Sequence, residues 1–260
     1  MTWVGRPIRR REDGPLVRGY GCYVGDLAAG ATFIRFVRSP VASATIGEIA
    51  IPDDVRAYTI DDLADVAPIR PLLFRPDYVA TEQYVLAKDR VRFVGEAIVA
   101  ILASSPEEAE DHAERVTVDL DTANSVTDVD AAIAPGAVRV HEQAAENTLV
   151  EANLRGDGID DAFTSATEVI EIAIESARQS AMPLEPRGGH ASFDRRTGRV
   201  TVHASVQTPH QVRTGIADCL GIDEALVRVV APDVGGGFGQ KMALSTEYIV
   251  AAWLARHLRG

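Results

Sequence analysis

The chain has 260 residues, 46% hydrophobic and 25% charged, which suits one large or two ordinary globular domains with a sizeable core. A net charge of −12 argues against a partner recognised through a phosphate backbone, so no nucleic acid is expected. Cys22 and Cys219 are too few for an iron–sulfur cluster or a structural zinc site, no apolar run approaches bilayer length, and no signal peptide precedes Trp3, so a soluble cytoplasmic protein is expected.

Residues 1–17, with Arg6, Arg9, Arg10 and Arg11, read as an arm, extended to about residue 30. Thr32 to Ser39 alternates like a strand closed by Pro40; Val41 to Ile46 is a short helix candidate and Ile49 to Ile51 a short strand. Residues 61–90 are loop-heavy, punctuated by Pro68, Pro71 and Pro76. Arg92 to Ala103 is a nearly continuous apolar run that predicts a buried strand. Ser105-Pro106-Glu107-Glu108 is a capping box opening a helix to about Arg115, and Thr117 to Asp121 gives the next strand. Composition then turns to Ala, Asn, Asp and Pro over 123–150, as in a linker. Asp160 to Thr167 predicts a short helix, and Val169-Ile170-Glu171-Ile172-Ala173-Ile174-Glu175 a half-buried strand. Ala191–Asp194 and Val200–Val206 flank a hairpin turn at Arg195–Gly198. Thr208 to Leu220 predicts a helix ended by Gly221, Leu226–Val230 a strand, and Leu244 to Leu258 a helix.

Between those last two elements lies Ala231-Pro232-Asp233-Val234-Gly235-Gly236-Gly237-Phe238-Gly239-Gln240-Lys241. Four glycines in five residues ahead of a helix put bare backbone N–H groups where an anion is favoured. Two familiar motifs fail on spacing. Gln240 and Met242 flank Lys241 where a phosphate loop wants Gly and Ser or Thr, and a dinucleotide fingerprint lacks its third Gly. A glycine-rich turn with no ligand stays open. Two further stretches put chemistry at turns: Glu185-Pro186-Arg187-Gly188, with a local ion pair as its plain reading, and Gln207-Thr208-Pro209-His210, with a helix cap as its own.

Together these segments resemble the molybdenum-binding large subunit of the xanthine dehydrogenase, aldehyde oxidase and carbon monoxide dehydrogenase family, in its N-terminal portion. Arg18 to Asp26, Val37 to Ile46, and Phe93-Val94-Gly95-Glu96-Ala97-Ile98 are similar to its opening segments. Val41 and Ser43 stand where histidines are frequent. The Gly235–Lys241 stretch is the most specific match. The resemblance implies an α+β fold: an α/β hammerhead domain at 18–122, a linker at 123–150, and the first part of a molybdopterin-binding domain at 151–260. It implies a molybdenum–molybdopterin cofactor, extended in many bacterial members by cytosine dinucleotide. The metal would be held by the pterin dithiolene and by no protein ligand. Gln207 would hydrogen-bond an oxygen ligand of the molybdenum, and Gly236, Gly237, Phe238 and Gly239 would lie against the metal and pterin. The implied reaction oxidises an aldehyde, a heterocycle or a substrate like carbon monoxide with water as oxygen source. Electrons would leave through an iron–sulfur small subunit and an FAD medium subunit.

Met242 replaces the glutamate that contacts purine in xanthine dehydrogenases, which disfavours a purine. The family's catalytic base lies near the end of a much longer subunit. No catalytic residue is identified here, and Glu185 is not assigned that role. The chain is therefore expected to be a fragment or one half of a split subunit, completed by a separate chain carrying the rest of the molybdenum domain. Two readings compete with this: a non-catalytic remnant acting as a binding or scaffolding module, and a nucleotide-binding α/β domain.

Overall fold

A computed structural model describes residues 3–27, 30–71, 75–177 and 179–258. Residues 1 and 2 of the expected arm and 72–74 of the loop-heavy stretch lie outside the described residues. The arm is not simply extended, since it carries a one-turn helix, α1 (Asp13–Leu16), and a 3-10 turn over Val24–Leu27 that buries Val24.

The first half of the chain is built around one strand. β5 (Ala97–Ala103) is buried at all seven positions, as its unbroken apolar run requires of a strand covered on both faces. It lies between β1 (Phe33–Arg38) and β3 (Ala57–Tyr58), antiparallel to both. Ala100 and Leu102 face one apolar cluster and Val99 and Ile101 a second, the alternation that a pleated strand imposes. The run is shorter than its composition implies. Residues 93–95 form a turn with Gly95 at φ +91°, leaving Phe93 and Val94 exposed, so only β4 (Arg90–Val91) precedes it.

β4 belongs to a second antiparallel sheet with β2 (Ala44–Ala50) and β6 (Thr117–Thr122), in the order β4-β2-β6. The helix expected over Val41–Ile46 is thus absent: residues 41–43 bend into β2, which holds Ala44 to Ile46. Ala44 pairs with Thr122 and Ile46 with Leu120, and long-range pairing overrides a weak local pattern. Against β1 and β5 packs α2 (Pro106–Arg115), capped as anticipated: Ser105 Oγ accepts the Glu108 N–H at 3.1 Å, while Glu108 reaches back to the Ser104 N–H at 2.8 Å. Short helices α3 (Val129–Ile133) and α4 (Ile159–Ser165) follow on the surface.

The strand expected over Val169–Glu175 does not form: among the described residues the segment pairs with nothing, and Ile170, Ile172 and Ile174 are 79%, 71% and 87% exposed. Beyond it, β7 (Gly189–Asp194) and β8 (Arg199–Ala204) make the hairpin, and β9 (Val227–Val230) joins β8 in parallel. The crossover is α5 (Pro209–Leu220), ended by Gly221 in the left-handed region. α6 (Thr246–Leu258) closes the structure, and its Ile249 and Trp253 share one core cluster with Val200, Ile216, Leu63 and Leu102. Trp253 Nε1 also donates to Asp65 at 2.9 Å, fastening α6 to the first half. Among the described residues no helix is long and apolar enough to cross a membrane.

Candidate functional site: the glycine loop and Gln207

The loop after β9 does not deliver its glycines to a helix N-terminus. α6 begins at Thr246, and the intervening backbone folds into turns, with Gln240 N–H donating to Gly237 O at 2.9 Å and Met242 N–H to Gly239 O at 3.3 Å. The helix dipole expected to favour an anion is therefore displaced from the glycines. What remains are free amides. Among the described residues, the N–H groups of Gly236, Gly237 and Phe238 find no acceptor. Phe238 sits at φ +51°, an uncommon conformation for a bulky side chain, and projects a ring that is 73% exposed. A strained aromatic presented to the outside is a feature that folding alone does not call for.

Gln207, in the crossing from β8 to α5, is brought onto this loop. Its N–H donates to Lys241 O at 2.9 Å, and the neighbouring Thr208 Oγ1 donates to Met242 O at 2.7 Å. Its side-chain Oε1 accepts the Gly239 N–H at 3.0 Å, which fixes the amide with oxygen toward the loop. Nε2 then has two N–H groups and no acceptor among the described residues. Gly237 permits the approach, because a Cβ there would stand 2.5 Å from both Cδ and Oε1 of Gln207. Gln207 does not cap α5; Thr208 occupies that position and makes no side-chain cap bond. His210 is exposed on the first turn of α5 and joins neither network.

Beneath the loop lies a polar network that sequence reasoning missed. Lys241 is buried, its side chain 0% exposed, with Nζ 3.0 Å from Glu185 Oε2 and 2.7 Å from Ser205 Oγ. Glu185 Oε2 also accepts the Ser205 hydroxyl at 2.5 Å and the Gly235 N–H at 2.7 Å, while Gly235 O accepts the Glu185 N–H at 3.2 Å. The pairing of Glu185 with Arg187 is replaced by one with Lys241. Burial pushes the Glu185 carboxyl pKa up, but the hydrogen bonds from Ser205, Gly235 and Lys241 outweigh it and hold the group below the ordinary carboxylate range. Oε1 of Glu185 is buried without a partner. On the far side, Cys22 N–H donates to Asp233 Oδ2 at 2.8 Å and Asp233 N–H to Cys22 O at 3.0 Å, tying the N-terminal arm to the same loop. Cys22 and Asp233 carry no motif that could have announced this clamp.

Comparison with known proteins now decides the family. A model of the molybdopterin cofactor-binding domain matches residues 140–260, and one of the aldehyde oxidase and xanthine dehydrogenase a/b hammerhead domain matches residues 18–124. The chain belongs to the molybdenum-binding large-subunit family of aldehyde oxidase and xanthine dehydrogenase. Within that family it is 32% identical to the nicotine 6-hydroxylase large subunit of Paenarthrobacter nicotinovorans, over 98% of this chain and 32% of that protein. It is 31% identical to the carbon monoxide dehydrogenase large chain of Hydrogenophaga pseudoflava, over 93% of this chain and 32% of that one. The structure of quinoline 2-oxidoreductase from Pseudomonas putida 86 superposes with a TM-score of 0.87 at 33% identity, covering 96% of this chain and 33% of that one. The chain thus spans about a third of the length of the relatives it matches. The hammerhead and the molybdopterin-binding domain are the α+β folds that the resemblance implied. The loop itself suits such a cofactor: amides without acceptors, a fixed Gln207 carboxamide with two unused donors, and a floor kept bare at Gly237.

Proposed function

We propose that Gln207 and the Gly236–Gly239 loop form one wall of a molybdopterin pocket in a molybdenum hydroxylase. The observation that carries this is the Gln207 carboxamide. The Gly239 N–H holds its oxygen, so Nε2 offers neutral donors beside three unsatisfied backbone amides. When bound, the cofactor supplies a two-electron acceptor and an oxygen atom drawn from water. The net change is R–H + H2O → R–OH + 2 H⁺ + 2 e⁻. Gln207 binds and orients without adding charge, and the Gly236, Gly237 and Phe238 amides stabilise negative charge on the cofactor. Phe238 helps to shape the substrate channel and exclude water. Glu185 is not the base: its Oε2 is committed to Lys241, Ser205 and Gly235, and a carboxylate held ionised by three donors takes up a proton poorly.

The base, the remaining cofactor contacts and the opposite wall come from the part of the subunit corresponding to the other two-thirds of the relatives. The exposed apolar run from Val169 to Ile174 supports this. An alternating apolar segment, left without a pairing strand among the described residues, is what a larger domain would cover. The electrons pass to iron–sulfur and FAD subunits, and the cofactor is the cytosine dinucleotide form. Nicotine 6-hydroxylase and quinoline 2-oxidoreductase are both named for nitrogen heterocycles, which favours a heterocycle over an aldehyde as substrate class. The test is dye-linked oxidation of quinoline and of an aldehyde by the assembled enzyme. Gln207→Ala is expected to lower turnover about 10²-fold; unchanged turnover would remove Gln207 from the pocket.

A further inference from the structure

Away from the glycine loop, a cavity of about 140 Å³ lies between β4, the start of β2 and the segments 124–126 and 138–140. That is many times the roughly 10–15 Å³ that a single water needs. It shares no residue with the Gln207 site, and three guanidiniums line it: Arg90, Arg92 and Arg139. Arg90 donates from Nη1 to Glu142 at 3.0 Å and from Nη2 to Ser43 Oγ at 3.3 Å, yet its Nε is buried with no acceptor. Arg92 is less satisfied still: its Nε is buried and unpartnered, and among the described residues its guanidinium enters no hydrogen bond or ion pair. Among the described residues Arg139 donates only to carbonyls, those of Glu142 and Ala144, both at 3.3 Å.

The charge does not balance. Among the described residues Glu142 is the one carboxylate paired with these arginines, and it is exposed. Glu96, the other carboxylate nearby, accepts the Arg92 backbone N–H at 2.6 Å, and burial raises its pKa. The cationic excess is two charges with Glu96 protonated and one with it ionised. His141 senses the same field, since burial first and then Arg92 and Arg90 disfavour its charged form. In a chain of net charge −12, a pocket with two buried, unused guanidinium N–H groups costs stability unless something accepts from them.

We propose that this cavity is a phosphate-binding site, with Arg90, Arg92 and Arg139 donating to a phosphate dianion. Guanidiniums suit a tetrahedral oxyanion because their forks deliver paired N–H groups. A tetrahedral phosphate also offers more acceptor oxygens to three guanidiniums than a single carboxylate does. The ion could be free phosphate or the end of a phosphate monoester, and the two sources are separable by experiment. Isothermal titration of the whole chain would compare inorganic phosphate, adenosine 5′-monophosphate and acetate at one ionic strength. Phosphate should bind measurably and acetate at least about tenfold more weakly. Tighter binding of the monoester than of inorganic phosphate would assign the source to an organic phosphate, and the reverse order to the free ion. Arg92→Gln should weaken phosphate about tenfold, whereas Gln207→Ala should leave it unchanged. Arg139→Gln provides the same test should Arg92→Gln fail to fold. Equal binding of phosphate and acetate, undiminished binding in the arginine variants, or an equal loss in Gln207→Ala would each overturn the proposal.

Discussion

The two halves of the chain differ in how completely they are closed. In the hammerhead, β5 has a strand on each edge and an apolar cluster on each face, and none of its seven residues is exposed. In the molybdopterin-binding half, a three-stranded sheet is preceded by a run of isoleucines lying in solvent, and Met182 and Leu184 are 90% and 101% exposed. The two stretches differ in sequence, Ala97–Ala103 being unbroken and Val169–Glu175 alternating with Glu171 and Glu175. The first is buried because β1 and β3, though far off in sequence, pair with it; the second has no pairing strand among the described residues. The glycine loop sits on the boundary: its floor is buried around Lys241, and its upper surface, with Phe238 and the Gln207 amide, is open.

That contrast can be attacked by mutation. Glu185→Ala should be the most damaging, costing about 3–5 kcal/mol in chemical denaturation because it strands the buried Lys241 ammonium. Ile101→Ala, in the middle of β5, should cost about 2–5 kcal/mol by leaving a cavity in a closed core. Gly237→Ala should cost about 1–3 kcal/mol, since its Cβ would meet the Gln207 side chain at 2.5 Å and displace it from its bond to Gly239. Ile172→Ala should fall within about 0.5 kcal/mol in the chain on its own, as for a side chain that packs on nothing. If Ile172→Ala proved as costly as Ile101→Ala, the distinction between closed and open halves would fail.

Acid sharpens the same picture at the loop. The folded pKa of Glu185 lies below its unfolded value, so its stabilisation is fully present above the ordinary carboxylate range and is lost as pH falls through the folded value. Thermal unfolding of the wild type and Glu185→Gln should differ at neutral pH and converge in acid. A gap that widens on acidification would show that the Glu185–Lys241 pair is not what holds the loop.

Local signals in the sequence were strong wherever backbone chemistry decided the outcome. Ser105 and Glu108 mark the start of α2, Gly221 the end of α5, and Arg195–Gly198 the hairpin turn. The glycine loop and Gln207 were legible through their resemblance to one family, and the structure brings them to 3.0 Å. Val41–Ile46 was not legible, because its strand is defined by pairing with β6 some seventy residues away. Val169–Glu175 misled for the opposite reason: a clean alternation promises a face to bury but not a neighbour to bury it against. The burial of Lys241 was not legible, because lysine is almost never fully buried unless paired, and its partner stands 56 residues earlier.

The central claim is that the Gln207 loop is one wall of a pocket whose other wall lies outside these residues. It is tested most directly by the molybdenum and pterin content of the purified chain, alone and after co-expression with the remainder of the molybdenum domain. Little metal in the chain alone and near-stoichiometric metal in the assembly, lowered by Gln207→Ala, is the predicted result. Stoichiometric molybdenum in the chain alone would contradict it.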